Sequence, residues 1–160
     1  MSNNFFHKEQ YLRSIGIKCG KGCRVHSTVI ISNPKNLILG SNVRIDAFTT
    51  ILSVKKIHIK NYIHVGPYVV LHSGGGEIKL ENFCGISAGV KIYTHVDDYT
   101  GKEFYSPFNA VSKKNGKRSS IQIKKYVILA PNVIVVPGAK FGEGTVIGAQ
   151  SVVYSKMSIT

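Results

Sequence analysis

The sequence has no long apolar run. Its longest apolar stretches, such as 127–130 and 133–136, are far shorter than the roughly 20 residues that a membrane-spanning helix requires. The N-terminal residues also lack the apolar region of a signal peptide. We therefore expect a soluble, cytoplasmic protein without an integral membrane segment.

Cysteine is scarce, with only Cys19, Cys23 and Cys84 in 160 residues. No two of them have the C-x-x-C spacing that is typical of zinc sites and redox motifs, and three cysteines do not suggest a disulfide framework. We therefore expect neither a disulfide-stabilised protein nor a structural zinc site.

Acidic residues are also few. Eight Asp and Glu stand against 21 Lys and Arg, for a formal net charge of +13. Such a balance favours phosphates, anionic lipid or nucleic acid as partners without choosing among them. Since the basic residues are scattered and match no nucleic-acid recognition motif, we expect no nucleic-acid partner.

A six-residue repeat fills most of the chain. In "VVPGAKFGEGTVIGAQSVV", large apolar residues recur at Val135, Phe141, Ile147 and Val153. Each hexad supplies one short strand and a bend, and three hexads return the chain about 4.8 Å above its start. The pattern predicts one domain, a three-sided parallel β-solenoid, and its other hexads begin at Cys19, Val25, Ile31, Leu39, Ile45, Ile51, Ile59, Val65, Leu71, Leu80, Ile86, Ile92, Ile123 and Leu129.

Two positions in each hexad are predicted to face the narrow interior. The first holds a large aliphatic residue, and the fifth holds a smaller one because little room remains. All three cysteines occupy these positions. They are therefore interpreted as small buried hydrophobes and not as reactive thiols.

Two segments interrupt the repeat. Residues 4–14 have a spacing near that of a helix, which predicts a short helix within a cap over 1–16. Between the coil regions 17–92 and 123–155 lies an insertion, 93–122, with the polar stretch "SKKNGKRSS". A long loop inserted in a regular solenoid is usually functional, so we expect the active site there.

The stretch "IKKYVILAPNVIVVPGAKFGEGTVIGAQSVV" resembles the hexapeptide-repeat acyltransferases. Within that superfamily, "GISAGVKIYTHVDDYTG" and the following loop resemble the O-acetyltransferases of bacterial surface-polysaccharide synthesis, which are related to maltose and galactoside acetyltransferases. The resemblance implies an all-β, left-handed parallel β-helix. It also implies a homotrimer, acetyl-CoA as the donor, and active sites between subunits.

The resemblance places a catalytic histidine beside the inserted loop, where His95 stands. A neutral imidazole is a suitable general base for an acceptor hydroxyl near pH 7. Asp97 or Asp98 is expected to orient the ring or to hold acceptor hydroxyls. His72, next to three glycines, is the second candidate base.

The donor site is also carried over from the family. There, small residues and backbone amides of the C-terminal coils meet the pantetheine arm, which corresponds here to Ala130, Gly148 and Ala149. A basic residue near the end of the last coil meets the 3′-phosphate, and Lys156 is the nearest match.

The favoured function is acetyl transfer to a sugar hydroxyl in O-antigen or capsule synthesis, on a sugar, sugar-nucleotide or lipid-linked acceptor. One alternative is an N-acetyltransferase of an amino-sugar nucleotide, whose amine needs less assistance from a base. A non-catalytic scaffold is another. A γ-carbonic-anhydrase-like zinc enzyme requires an H-x-x-x-x-H pair, which the chain lacks, so we expect no metal.

Overall fold

The chain winds into a three-sided parallel β-solenoid. The structure is a computed structural model that describes residues 5–97 and 116–154, and the backbone of the strand Ser158–Ile159. Within these residues the chain makes six coils, namely 18–31, 37–52, 57–72, 78–93, 121–135 and 140–153. Each coil crosses three faces of a prism in turn.

The faces are parallel ladders with residue-for-residue register. The first face contains Lys18–Cys19, Leu37–Leu39, Ile57–Ile59, Ile78–Leu80 and Ile121–Ile123, and Lys140–Phe141 continues it and pairs with Ser158–Ile159. The second face contains Arg24–His26, Val43–Ile45, Ile63–Val65, Gly85–Ile86, Ile128–Leu129 and Val146–Ile147. The third face contains Ile30–Ile31, Thr50–Leu52, Val70–His72, Lys91–Tyr93, Ile134–Val135 and Val152–Val153.

The predicted inward positions form the core. The first-position residues from Leu39 to Val153 are all buried, as are the fifth-position residues Val43, Thr49, Ile63, Val69, Cys84, Val90 and Ala139. The partly exposed exceptions are the first-position residues Cys19 and Ile31, in the first coil, and the fifth-position residues Val29, Thr145 and Ser151. Burial raises the pKa of the Cys84 thiol to about 11, so Cys84 is a small core hydrophobe, as predicted.

The corners of the prism place residues in the left-handed region of backbone space. This conformation is unusual for any residue but glycine and is least favourable for bulky side chains. The same corner positions nevertheless hold aromatic residues as well as Asn and Gln, with φ between 57° and 63°: Asn42, Phe48, Tyr62, Tyr68, Phe83, Tyr126, Asn132 and Gln150.

The N-terminal cap contains the predicted short helix and, before it, a strand that was not predicted. A strand, Phe6–His7, first pairs antiparallel with Arg24–His26, and the helix Glu9–Ser14 follows. Leu12 of the helix is 1% exposed and seals the open end of the first coil. A 3-10 turn, Pro34–Asn36, connects the first two coils. No helix among the described residues is long and apolar enough to cross a membrane.

One nearly buried carboxylate joins neighbouring coils at the edge between the first and second faces. Glu81 accepts hydrogen bonds from Lys79 and Lys60, at 2.9 Å each, and from Gln122, at 3.0 Å. Burial alone would raise the pKa of Glu81, but the hydrogen bonds from both lysines outweigh it and lower the pKa to about 2. The ionised form therefore stabilises the fold.

We expect Glu81→Gln to lower the free energy of unfolding at pH 7 by about 2 kcal/mol, the scale of hydrogen bonds to a charged group. Because the folded-state pKa is depressed, the stabilisation is present above about pH 4.5 and is lost as the pH falls towards 2. Denaturant unfolding of Glu81→Gln and of exposed Glu77→Gln across this range checks the expectation. If Glu81→Gln lowered the free energy of unfolding by the same amount at pH 3 and at pH 7, the expectation would be wrong.

Candidate active site

A two-stranded ribbon leaves the solenoid after the fourth coil. His95–Val96 pairs antiparallel with Lys117–Arg118, with His95 opposite Arg118. The ribbon starts at the edge between the third and first faces, directly after the strand Lys91–Tyr93. The base of the predicted insertion is therefore ordered and carries His95.

Thr94 anchors this departure point. Its side chain is fully buried, and its hydroxyl accepts hydrogen bonds from the amides of Gly75 and Gly76, at 3.0 and 3.1 Å. The hydroxyl donates to the His72 carbonyl at 3.1 Å, and the Thr94 carbonyl accepts from the Ser119 amide. Thr94 thus joins the coil below to both strands of the ribbon, a role that the sequence analysis did not identify.

The three glycines after His72 leave room for the ribbon to cross. A Cβ at Gly75 would collide with the Thr94 carbonyl oxygen and lie 2.9 Å from the His95 Cβ. A Cβ at Gly76 would lie 2.5 Å from the Ser120 amide nitrogen. Since real Cβ atoms do not approach this closely, a side chain at either position would displace the ribbon and His95.

We expect Gly75→Ala to reduce the kcat of acyl transfer, the activity that the family resemblance implies, by about tenfold or more. Small misplacements of catalytic groups have large effects on the rate. The matched control is Gly85→Ala, where the new Cβ would lie 3.7 Å from Ile128, an ordinary contact. Steady-state kinetics, with circular dichroism to verify folding, provides the measurement. Unchanged kcat in a folded Gly75→Ala protein would show that the ribbon does not position the site.

The two predicted bases lie near each other. His72 ends a strand of the third face, and Tyr93 is its register partner in the next coil, with ring centroids 6.1 Å apart in an edge-to-face arrangement. Burial, and secondarily the proximity of His95, lowers the pKa of His72. His72 is therefore held neutral beside His95.

Asp97 lies on the ribbon with His95. Its Oδ1 atom is 3.9 Å from His95 Nε2, which is beyond hydrogen-bond distance, and the side chains are 47% and 26% exposed. Both groups are accessible to a substrate. Asp98, the other predicted carboxylate, lies outside the described residues.

The predicted donor residues lie on a different edge, between the second and third faces. Ala130 is half-buried, while Gly148 and Ala149 are exposed in the coil above. The Ala130 amide donates to the Ile147 carbonyl at 3.0 Å, so the ladder already uses it. Lys156 lies outside the described residues.

Ser87 lies on the same edge, one coil below Ala130. It is half-buried, and its amide donates to the Leu129 carbonyl at 3.0 Å. The sequence analysis did not identify Ser87, because a serine in a solenoid turn carries no distinctive pattern.

Among the described residues, no group of three or more His, Cys, Asp or Glu side chains is arranged to hold a metal ion. His58 and His64 lie on outward positions of different faces. His64 Nε2 instead contacts Asp46 Oδ2 at 2.6 Å.

The chain is similar to a dTDP-4-amino-4,6-dideoxy-D-glucose acyltransferase of Escherichia coli. The two are 31% identical over 147 residues, which cover 91% of this chain and 76% of the relative. No protein-family model matches the chain.

The fold is similar to crystal structures of AntD, an N-acyltransferase from Bacillus cereus. A complex with dTDP-4-amino-4,6-dideoxyglucose and coenzyme A has a TM-score of 0.86 at 31% identity, covering 94% of this chain and 80% of AntD. A complex with dTDP and 3-hydroxybutyryl-CoA has a TM-score of 0.87 at the same identity and coverage. Among the AntD structures are variants that replace a serine, or an aspartate ten residues further along the chain.

These similarities confirm the predicted fold class and the predicted family. The chain belongs to the hexapeptide-repeat acyltransferases with a left-handed parallel β-helix.

Proposed function

We propose that this chain transfers an acyl group from acyl-CoA to the amine of a dTDP-linked amino sugar. The E. coli relative is an acyltransferase of such a sugar, and AntD was crystallised with one together with coenzyme A. A serine and an aspartate ten residues apart, a spacing shared with AntD, connect the proposal to particular residues.

The chain contains a serine and an aspartate at the spacing of the two residues substituted in AntD. Of its three aspartates, only Asp97 has a serine ten residues earlier, and that serine is Ser87. Asp46 and Asp98 have Asn36 and Ala88 at that distance. We therefore assign Ser87 and Asp97 to the reaction centre.

Asp97 accepts the proton in this mechanism. The amine nitrogen attacks the thioester carbonyl carbon, and a proton of the amine passes to the Asp97 carboxylate. The tetrahedral intermediate then collapses, the C–S bond breaks, and the coenzyme A thiolate leaves and is protonated. A carboxylate is an adequate acceptor here because the amine nitrogen becomes positively charged, and therefore acidic, as it attacks carbon, whereas a hydroxyl requires a stronger base.

Ser87 stabilises the oxyanion through its hydroxyl. Its backbone amide is paired with the Leu129 carbonyl, so any donor that it offers to the intermediate is the side chain. A single such hydrogen bond is worth about 10²- to 10³-fold in kcat when it is preorganised.

The two residues belong to opposite edges of one face. Ser87 precedes the third-face strand Lys91–Tyr93, and Asp97 follows it. The extended segment between the two edges, residues 90 to 94, is about 13 Å long. A head-to-tail ring of copies brings the Ser87 edge of one subunit against the Asp97 edge of the next. This arrangement supports the predicted homotrimer with shared active sites.

The donor lies along the edge that holds Ser87. Gly148 and Ala149, exposed one coil above Ala130, offer a small-residue surface to the pantetheine arm. The acyl thioester then reaches Ser87 from above, and Lys156 stays our prediction for the 3′-phosphate. The acyl group is acetyl or longer, since AntD binds 3-hydroxybutyryl-CoA.

The comparisons favour the amine alternative over the sugar hydroxyl that the sequence analysis preferred. Both relatives are connected with 4-amino sugars linked to dTDP. In this setting His95, expected as the base for a hydroxyl, instead lies beside Asp97, with its Nε2 atom 3.9 Å from Asp97 Oδ1.

Release of free thiol from acetyl-CoA tests the proposal. We expect release with dTDP-4-amino-4,6-dideoxyglucose and at least tenfold lower kcat/KM with the same amino sugar lacking the nucleotide, because binding energy from the nucleotide is lost. Equal kcat/KM for both acceptors would contradict a nucleotide-linked substrate.

A further inference from the structure

Two exposed aromatic rings stack on the edge that holds Ser87. Phe48 and Tyr68 occupy the same corner position in successive coils, with ring centroids 5.3 Å apart and planes inclined by 16°. They are 55% and 60% exposed, and both have positive φ, near 58°. The two rings therefore offer a flat apolar surface on this edge.

The stack ends just below Ser87. The corner position above Tyr68 is Gly89, whose amide donates to the Pro67 carbonyl at 2.9 Å. Gly89 has no side chain to continue the stack, and the side chain of Asn132 folds down over it from the next coil. Tyr68 therefore presents a ring next to the turn that begins at Ser87.

A cation lies beside this ring. Lys91 Nζ donates to the Gly89 carbonyl at 3.1 Å, which holds its charge at the level directly above Tyr68. Arg44 and His64, on the adjacent second face, are both paired with Asp46, at 2.7 and 2.6 Å. Lys91, by contrast, makes no carboxylate pair among the described residues.

An aromatic platform with an adjacent cation fits a nucleotide. Bases stack on aromatic side chains, and an ammonium attracts the phosphates. Donor and acceptor must meet at Ser87, and the donor residues fill the coils above it, so the acceptor extends over the coils below.

We propose that the Phe48–Tyr68 stack binds the pyrimidine base of the acceptor nucleotide and that Lys91 contacts its diphosphate. This assignment rests on the proposed function, since it presumes a nucleotide-linked acceptor. Tyr68 then contributes to the affinity for the acceptor, while the affinity for the acyl-CoA donor does not depend on it.

A second stack provides the matched control. Tyr62, Phe83 and Tyr126 stack on the edge between the first and second faces, with centroids 5.1 and 5.4 Å apart. Tyr126 is 54% exposed with φ of 60°, and Gly144 occupies the corner above it. It therefore matches Tyr68 in conformation, exposure and position at the end of a stack, but it lies away from Ser87.

The experiment is calorimetric titration of dTDP and, separately, of coenzyme A into wild type, Tyr68→Asn, Tyr68→Phe and Tyr126→Asn. Asparagine tolerates positive φ, as Asn132 does at the same corner, so the variants should fold. We expect about tenfold weaker dTDP binding for Tyr68→Asn, and less than about twofold change for Tyr68→Phe and Tyr126→Asn. The Kd for coenzyme A should not change in any of them.

Unchanged dTDP affinity in Tyr68→Asn would overturn the platform while leaving the proposed function intact, provided that wild type binds dTDP and acylates the amino sugar. Loss of the oligomer in Tyr68→Asn alone, by light scattering, would identify the ring as a subunit contact and also overturn it. A wild-type protein that binds no dTDP and acylates only nucleotide-free amino sugars would refute the proposed function and the platform together.

Discussion

Asp97→Asn is expected to lower kcat by about 10²- to 10⁴-fold, the range for loss of a general base. The amide has nearly the same shape as the carboxylate but cannot take the proton of the attacking amine. Because the acyl donor binds on another edge, its Kd should stay close to that of wild type. Single-turnover kinetics with a dTDP-linked amino sugar measures the chemical step directly.

The matched control is Asp98→Asn, which changes the neighbouring carboxylate by the same atoms. We expect it to reduce kcat less than about tenfold, because Asp98 lacks a serine at the AntD spacing. His95→Gln and His72→Gln complete the set. If His95→Gln were as damaging as a missing base and Asp97→Asn nearly harmless, the base would be the histidine that the sequence analysis selected.

Two inactive variants should restore activity when they share one oligomer. Ser87→Ala and Asp97→Asn each damage every site of a homotrimer. A mixed trimer contains sites whose serine comes from one subunit and whose aspartate comes from its neighbour. Each mixed trimer, whichever variant contributes two of its subunits, has about one intact site in three if each site lies between subunits.

The measurement uses co-expression with two different affinity tags, followed by purification on both. Activity near a third of wild type is the expected result, against a background at least about 10²-fold lower for either variant alone. The same variants mixed after separate purification are the control, since their subunits have not exchanged. Co-expressed protein with only background activity would show that Ser87 and Asp97 act within one chain.

The fold was accessible from the sequence because the hexad pattern is dictated by the narrow interior. Each hexad has the same two inward positions, so buried aliphatic residues stand at equivalent places in successive coils, as Ile45, Val65 and Ile86 do. The N-terminal strand was not accessible. Phe6–His7 forms by antiparallel pairing with Arg24–His26, a tertiary contact that leaves no periodic signal in so short a segment.

The site was only partly accessible. His95 was selected through the family resemblance and His72 through the three glycines beside it, and the structure brings both together at the ribbon. Thr94 was missed because its role depends on amides of Gly75 and Gly76 from the coil below. The role that we propose for Ser87 was missed for a similar reason, since the proposal rests on the edge where Ser87 lies and on its spacing from Asp97.

The choice between amine and hydroxyl could not be read from the repeat. Both acceptors use the same donor, the same solenoid and a base beside the insertion, and they differ in one atom of the substrate. A general base with carboxylate strength favours the amine on chemical grounds, but this argument depends on the proposal that Asp97, and not His95, takes the proton.

Competition between two acceptors tests the central claim most directly. The enzyme is given acetyl-CoA with equal amounts of dTDP-4-amino-4,6-dideoxyglucose and the analogue that has a hydroxyl at the same carbon, and the products are separated by mass spectrometry. Our account predicts an amide as the dominant product, with one thiol released for each amine consumed. An ester on the hydroxyl analogue as the dominant product would contradict it and would restore the O-acetyltransferase prediction.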